Sequence, residues 1–280
     1  FDNHNGMILK RSDVVSWRIN WEDKSQNILD MAKELSLSTD SFVFWDDNPL
    51  ERDKVSMACP SVVTVDVPED VCEWPSILRS LNNFSKFHVG HEDVKKTEQY
   101  KSRNAFISGR EKVMDELSYL KSIKLSPSLK PINESNIKRA AQMCAKTNQF
   151  NFRTSRHTEN DIRMFIEKKE DFCFLTHLTD IYGDHGLIGL VILSEIDNKC
   201  VFVETFLMSC RVLGRYLEAW IVKQIIEIAQ KNGYTTIVGE FKPTSKNKMC
   251  KNFFSSHNFT KIDKNEIDLQ NDFLLNLDGL

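Results

Sequence analysis

The sequence predicts an α/β protein in two parts, a parallel α/β arrangement followed by strands that pair in an antiparallel meander. In the first part, apolar residues at helical spacing over 25–37 precede two strand-like runs, at 42–45 and 61–68. In the second part, three strand-like runs follow one another within 172–209 with short turns between them. The helix–strand–strand order indicates parallel pairing in the first part, and the closely spaced strands indicate hairpins in the second.

Composition limits the class of protein. The chain has 280 residues, a net charge of −3, 41% hydrophobic residues and 28% charged residues, which leaves room for about two globular domains. Because there is no basic excess, the sequence argues against a general nucleic-acid binder. No apolar run approaches the ~20 residues that span a bilayer, and no signal peptide is recognisable, so we expect a cytoplasmic protein without membrane contact.

The cysteines point to a reducing compartment. There are seven, scattered along the chain and without a C-x-x-C pair. Reduced thiols are therefore expected, rather than a zinc site or a disulfide framework. The chain opens at Phe1 without a helix or strand signal, and we interpret it as a piece of something longer.

The order of elements predicts where the two parts meet. Residues 76–121 are polar with a helical pattern, and 124–132 contains two prolines and two serines, which favours a linker. An amphipathic helix at 137–144 opens the second part, and Thr158 is placed to cap the next helix. The predicted divisions are residues 1–85, a helical connector at 86–128, and a second domain at 129–280.

Two adjacent carboxylates, Asp46 and Asp47, follow the apolar run 42–45. Open α/β sheets bind ligands at the carboxyl ends of their strands, and a cation such as Mg²⁺ would offset the repulsion between two acids there. Two solvated acids at a turn are the alternative interpretation. Lys24, one helix upstream, is a candidate for holding a phosphate, and a solvated residue at a helix start is its alternative role.

A second candidate site lies where a strand runs into the helix at 217–229. Cys210 stands at this junction beside Arg211, and a helix N-terminus together with the guanidinium would favour a thiolate. We predict Cys210 as a nucleophile, with an ordinary strand cysteine as the alternative. Asp184 and His185 are candidates for orienting or deprotonating the thiol, and turn residues without a role are an equal interpretation.

Asn148 and Gln149 are candidate donors to a carbonyl oxygen, in the manner of an oxyanion hole. Capping of the preceding helix is at least as good an explanation. Lys246, Lys248 and Lys251 cluster around the last short helix, which predicts either a solvated helix face or a docking patch for an acidic partner.

Taken in order, these segments resemble the FkbH-like family. A lysine before a helix and a double Asp after the next strand resemble motifs III and IV of the haloacid dehalogenase (HAD) superfamily, and VFWDDNPLER resembles its FkbH-like branch. The segments KTNQFNFRTSRHTENDI, YGDHGLIGLV, LMSCRVLGRYLE and KPTSKNKMCKNFFSSHNF look like the family's C-terminal half, which is similar to the GNAT acyltransferase fold. The resemblance implies a partial HAD-type parallel domain followed by a GNAT-like α+β domain with a mixed, mostly antiparallel sheet.

The family's activity sets the functional expectation. FkbH-like proteins load a glyceryl or lactyl unit derived from 1,3-bisphosphoglycerate onto an acyl carrier protein in polyketide biosynthesis. For this chain the resemblance implies Mg²⁺ at Asp46 and Asp47, Lys24 at the phosphate, and an acyl thioester on Cys210. The carrier protein's phosphopantetheine would be the second cofactor. The D-x-D strand that carries the HAD nucleophile is not in this sequence, so phosphatase activity is expected only with an upstream part.

The resemblance also has a point of departure. GNAT folds hold a pyrophosphate at an R/Q-x-x-G-x-G/A turn, which Arg211 and Gly214 match and Tyr216 does not. Tyr216 would crowd a phosphate and so disfavours coenzyme A, whereas a pantetheine arm would still fit a channel between parting strands. Lys246 and Asn247 are predicted at its phosphate. A coenzyme A-dependent GNAT N-acyltransferase and a non-catalytic docking module for a carrier protein are the two rival interpretations.

Overall fold

The computed structural model describes residues 2–85, 94–169, 171–262 and 272–277. The chain divides into two compact units, Phe1–Lys112 and Val113–Leu280. Each unit contains its own cluster of buried apolar side chains. Within the described residues, no helix is long and apolar enough to cross a bilayer.

The first unit combines helices with a small parallel sheet. Its described elements are α1 (Lys24–Leu35), β1 (Val43–Phe44), α2 (Pro49–Ala58), β2 (Val63–Thr64), α3 (Trp74–Ser80) and α4 (Lys96–Glu111). The two strands pair in parallel, as the helix–strand–strand order predicts, although each contributes only two residues. Ile28, Val55 and Val62 bury against one another between α1, α2 and the sheet. The HAD-type assignment of this unit stays a prediction.

In the second unit, the described residues form one mixed sheet of eight strands. Its elements are α5 (Glu116–Ser122), β3 (Ser126–Pro131), α6 (Ile137–Lys146), β4 (Phe150–Asn151), α7 (Glu159–Glu167), β5 (Phe172–Asp180), β6 (Gly183–Asp197), β7 (Cys200–Met208), α8 (Leu217–Lys231), β8 (Thr236–Glu240), α9 (Phe253–Ser256), β9 (Thr260–Lys261) and β10 (Asp272–Asn276). The strand order is β3-β5-β6-β7-β8-β10-β9, and β4 pairs with β7. β7 and β8 are parallel, and the other described pairs are antiparallel. The predicted mixed, mostly antiparallel sheet is confirmed.

Both faces of this sheet are covered. Alternate residues of β6 enter opposite cores, because successive side chains of a strand point to opposite faces. Val191 and Leu193 pack in the core that includes α8 residues such as Ile221. Leu190 and Ile192 pack in the core formed with α6 and α7. Thr158 caps α7, as predicted, through a reciprocal bond pattern with Asp161.

The predicted linker at 124–132 is largely a strand. β3 pairs with β5 from Ser126 opposite Thr179 to Pro131 opposite Phe174. β3 lies at the edge of the sheet, where proline is tolerated because one side of the strand makes no ladder bonds. The linker prediction is therefore wrong, and the predicted connector at 86–128 overlaps the first residues of this strand.

The space between the two parallel strands is filled. β7 and β8 pair only as far as Val203 and Gly239, and beyond this point β4 and the residue after it lie between them. The Phe152 N–H donates to the Phe206 carbonyl at 3.3 Å, and the Phe152 carbonyl accepts from Lys242 N at 2.8 Å. The predicted channel between parting strands is therefore closed here by main-chain pairing, and a pantetheine arm has no path through it.

Candidate functional site

In the first unit, Lys24 and Asp46 form an ion pair. Lys24 Nζ contacts Asp46 Oδ2, and Asp46 Oδ1 accepts from Asn48 N at 3.0 Å. Lys24 opens α1 and Asp46 follows β1, so the fold brings the lysine to the carboxyl end of a parallel strand, as the order of elements predicts. Asp46 is consequently held by two donors from different elements.

Asp47 is exposed beside this pair. Arg52 donates from Nη1 to the main-chain carbonyls of Asp46 and Asp47, at 3.0 and 3.1 Å, and so fixes the turn. Among the described residues, no group of three or more His, Cys, Asp or Glu is placed to hold a metal ion. The predicted metal role of Asp46 and Asp47 stays a prediction.

In the second unit, Cys210 lies two residues after the end of β7. It is partly buried and begins a short 3₁₀ turn, Cys210–Val212, while α8 begins only at Leu217. The helix dipole acts within the first turn of a helix, so the argument that α8 favours a Cys210 thiolate is wrong. The role of Cys210 as a nucleophile stays a prediction.

Two residues of the loop between β7 and α8 have left-handed backbone conformations. Gly214 has φ 85° and Tyr216, immediately before α8, has φ 55°. An aromatic residue in this region is strained, because its Cβ crowds the neighbouring carbonyl, whereas glycine is not. The side chain of Tyr216 is 51% exposed. The loop thus holds an unfavourable conformation directly before the N–H groups of a 15-residue helix.

Both arginines of this loop are buried, with 6% and 2% of Arg211 and Arg215 exposed. Arg211 Nη2 donates to the His185 carbonyl at 2.8 Å. Arg215 Nε donates to Asp180 Oδ2 at 3.1 Å, and its Nη1 donates to the Arg211 carbonyl at 3.3 Å. The Arg211 side chain is therefore directed into the protein, and phosphate binding by the turn from Arg211 to Gly214 stays a prediction.

His185 and Asp184 do not act as a pair. His185 Nε2 lies 2.8 Å from Asp180 Oδ1, and both side chains are buried. Asp184 is exposed, accepts from Gly186 N at 2.7 Å, and lies 2.9 Å from His177 Nε2. The acid beside His185 is Asp180, which sequence reasoning missed. Burial favours the neutral acid, but His185 and then Arg215 outweigh it and hold the pKa of Asp180 below its ordinary value.

The fold directs Asn148 and Gln149 toward the end of β7. β4 runs antiparallel to β7 with Phe150 opposite Met208, so the residues before Phe150 extend in the same direction as the residues after Met208. Arg156 contacts Asn148 Oδ1, which orients the Asn148 amide. The Gln149 carbonyl accepts from Cys250 Sγ at 3.4 Å. The position of Asn148 suits a donor near Cys210, and its role stays a prediction.

Asn247 is a structural residue. It is fully buried, and its Nδ2 donates to the Asn151 and Lys242 carbonyls, both at 2.9 Å. A side chain so placed has no exposed donor for a phosphate, so that prediction is wrong. Lys246 is exposed beside it, and the docking patch that includes Lys246 stays a prediction.

Sequence reasoning also missed a charged cluster around Arg153, which follows β4. Arg153 Nε pairs with Glu240 Oε2 at 2.7 Å, and its Nη1 pairs with Glu204 Oε1 at 2.5 Å. Lys242 Nζ lies 3.3 Å from the same Glu240 oxygen. The Arg153 guanidinium carbon lies 4.9 Å from the centre of the Phe202 ring. All of these residues except Glu204 line a cavity of about 320 Å³. No local sequence pattern predicts this cluster, because its members are far apart in the sequence.

Asp272 extends this cluster into the protein. It stands opposite Glu240 in the β8–β10 pair and is 1% exposed. Neither of its carboxylate oxygens has a hydrogen-bond partner among the residues that the structure describes. Burial and then the neighbouring Glu240 raise the pKa of Asp272 to about 6.

Comparison with known proteins gives distant structural similarity alone. No family model and no curated protein matches the chain. The ribosomal-protein-S18-alanine N-acetyltransferase of Escherichia coli is 12% identical, with a TM-score of 0.41, over 54% of this chain and 94% of that one. An acetyltransferase of the GNAT family from Staphylococcus aureus Mu50 is 11% identical, with a TM-score of 0.43, over 54% of this chain and 99% of that one.

A third similar structure is Rv2747 from Mycobacterium tuberculosis in complex with CoA and NLQ. It is 13% identical, with a TM-score of 0.40, over 50% of this chain and 75% of that one. Matches of this strength establish neither the family nor the activity of the chain.

Proposed function

We propose that this chain is an acyltransferase whose donor is the thioester of a pantetheine arm, held at the loop between β7 and α8. The observation that carries the proposal is the pair of left-handed residues, Gly214 and Tyr216, directly before the N-terminus of α8. The N–H groups of a helix start attract anions, and α/β sheets bind ligands at the carboxyl ends of parallel strands. The Arg211-x-x-Gly214 resemblance supports the same assignment.

The donor has to approach the loop from outside the sheet, because β4 and Phe152 fill the space between β7 and β8. Two features of the loop oppose the pyrophosphate of coenzyme A. Tyr216 stands where the GNAT pattern has glycine or alanine, and Glu218 places an acid in the first turn of α8. Coenzyme A and a carrier protein both present a pantetheine arm, so binding experiments with the two distinguish the forms of the donor.

The chemistry requires an oxyanion donor and an acceptor at the thioester carbonyl. Asn148 lies toward the end of β7, and because Arg156 contacts Oδ1, Nδ2 is the group that would donate to the carbonyl oxygen. An amine acceptor would make the reaction a coenzyme A-dependent N-acyl transfer. With Cys210, at the same end of β7, as the acceptor, its sulfur would form a new thioester while the pantetheine sulfur leaves and takes up the proton. One thioester replaces another, so this step is close to isoenergetic.

The test compares two glycines at opposite ends of one helix. Gly214 and Gly233 both have φ 85°, and they flank the N-terminus and the C-terminus of α8. Gly214→Ala and Gly233→Ala therefore carry similar backbone strain. Titration with acetyl coenzyme A and with a phosphopantetheinylated carrier protein should show saturable binding of at least one to the wild type and to Gly233→Ala. Gly214→Ala should bind at least tenfold more weakly. Equal loss in the two variants would contradict the proposed donor position.

The second candidate is loading of a glyceryl or lactyl unit from 1,3-bisphosphoglycerate onto an acyl carrier protein through Cys210. One observation favours it, the contact of Lys24 with Asp46 at the carboxyl end of a parallel strand. Its test is intact-protein mass spectrometry of the full-length natural protein after incubation with the substrate and Mg²⁺. Cys210→Ala should lose the acyl adduct, while Cys200→Ala, at the opposite end of β7, should keep it. An adduct that survives in Cys210→Ala would exclude Cys210 as the acceptor.

A further inference from the structure

We infer that Asp180, acting through Arg215, is the positioning residue of the loop between β7 and α8. Arg215 lies between the two left-handed residues of that loop, Gly214 and Tyr216. Its guanidinium donates to Asp180 Oδ2 at 3.1 Å and to the Arg211 carbonyl at 3.3 Å. One side chain thus joins the middle of the loop to its beginning and to the last residue of β5.

Burial makes this connection energetically important. Both side chains of the Asp180–Arg215 pair are fully buried, so neither charge can be solvated by water if the other is removed. Breaking a buried pair on one side leaves an uncompensated charge, which is far more damaging than losing an exposed pair. His185 Nε2, 2.8 Å from the second oxygen of Asp180, completes the cluster.

Both anchors of the loop lie on the hairpin formed by β5 and β6. Arg215 bonds to Asp180 at the end of β5, and Arg211 bonds to the His185 carbonyl at the start of β6. A strained backbone conformation such as that of Tyr216 persists only where contacts with the surrounding residues hold it in place. The two arginine bonds hold the loop against the β5–β6 hairpin. The conformation of the loop therefore depends on the Asp180 carboxylate, which lies outside the loop.

The consequence for binding rests on the proposed function. If the loop holds the pantetheine donor, Asp180 sets donor affinity without touching the donor, because its side chain is not exposed. A change at Asp180 should therefore raise the KM for the donor and leave kcat at saturating donor nearly unchanged. A residue that only stabilised the fold would not raise KM while leaving kcat unchanged.

The experiment measures the loop and the donor separately. Hydrogen–deuterium exchange of the amides of residues 214–219 reports the loop, and titration with coenzyme A and with a phosphopantetheinylated carrier protein reports the site. In Asp180→Asn these amides should exchange at least tenfold faster, and the donor that binds the wild type should bind at least tenfold more weakly. Glu134→Gln removes the acid of an exposed arginine pair in the same unit, and it should change neither quantity.

Two further variants keep the inference testable. Adding Arg215→Met to Asp180→Asn should lower the affinity no further, because the two residues act as one unit. Arg215→Lys keeps the charge but replaces the two separate nitrogens that reach Asp180 and the Arg211 carbonyl with one ammonium nitrogen, so it should accelerate loop exchange even if Asp180→Asn fails to fold. Loop exchange that stays at the wild-type rate in a folded Asp180→Asn or Arg215→Lys would overturn the inference. A wild type that binds no pantetheine compound, with loop exchange still responsive to Asp180→Asn, would refute the proposed function and leave the positioning role intact.

Discussion

Asp272 and Glu240 stand directly opposite each other on β10 and β8, and their side chains share one face of the sheet. Both residues are buried. Arg153 and Lys242 pair with Glu240 at 2.7 and 3.3 Å, whereas neither carboxylate oxygen of Asp272 has a hydrogen-bond partner among the described residues. When one of two adjacent buried acids is ionised, its negative charge disfavours ionisation of the other. The pair therefore binds a proton at a pH where an exposed aspartate would have lost it.

The first prediction concerns the pH dependence of stability. Burial, and then Glu240, raise the pKa of Asp272 to about 6, so the folded state binds this proton more tightly than the unfolded state. As the pH rises from about 4 to about 6, Asp272 should increasingly lower the free energy of unfolding. Above about pH 6 this destabilising effect should have its full size. Asp272→Asn keeps the shape without the charge and should raise the free energy of unfolding at pH 8 by about 1–3 kcal/mol.

The increase in the free energy of unfolding that Asp272→Asn produces should become smaller toward pH 4, where the wild-type carboxyl is protonated. Denaturant unfolding at several pH values measures it. Leu275→Val, a buried and non-titrating change on the same strand, should shift stability by the same amount at every pH. A pH-independent effect of Asp272→Asn would contradict the prediction.

The second prediction tests the Arg153 cluster. Arg153→Met leaves Glu204 and Glu240 without their shared cation, so we expect a loss of about 3 kcal/mol in the free energy of unfolding. Lys242 pairs with the same Glu240 but is 53% exposed, so Lys242→Met should change stability by less than about 0.5 kcal/mol. Thermal or denaturant unfolding of the two variants measures the difference, and equal losses would show that Arg153 has no special role.

The third prediction concerns Tyr216. Tyr216→Gly removes the Cβ that is strained at φ 55°, and we expect a gain of about 0.5–1 kcal/mol in stability. Tyr216→Ala keeps the Cβ and should show no such gain. If the loop binds coenzyme A, Tyr216→Gly should also bind it more tightly, because glycine permits closer approach of the phosphate. Identical stabilities of the two variants would rule out backbone strain as the reason.

The fourth prediction concerns close packing at Gly239. A Cβ at this position would lie 2.3 Å from a ring atom of Phe254, which is itself buried. Gly239→Ala should therefore destabilise the second unit by about 1–3 kcal/mol through overpacking. Phe254→Leu in the Gly239→Ala background should recover part of the loss, and the absence of any recovery would show that the ring is not the obstacle.

Local patterns were predictable from the sequence. The capping of α7 by Thr158 and Asp161 depends on residues three apart, and the meander of β5 to β7 depends on short turns. The contact between Lys24 and Asp46 follows from the order of elements, because a helix of a parallel unit begins at the edge of the sheet where the next strand ends.

Contacts between distant segments were not predictable. Asp180 and Arg215 are 35 positions apart, and periodicity does not indicate which acid an arginine meets. The sequence of β3 predicts a linker because Pro127 and Pro131 signal a break in any strand except one at an edge. β4 has only two residues, too short for any pattern, so the filling of the space between β7 and β8 had no local signal.

Residues 150–152, which fill the space between β7 and β8, also cover strand edges that could otherwise pair with another molecule. Where β7 and β8 diverge, each would present unpaired N–H and C=O groups, and Phe152 satisfies one on each strand, the Phe206 carbonyl and the Lys242 N–H. Unpaired strand edges are templates for pairing with another molecule. If the segment were displaced, the interior of the sheet would be open to intermolecular strand addition. Partial unfolding here should therefore lead to aggregation before the rest of the unit unfolds.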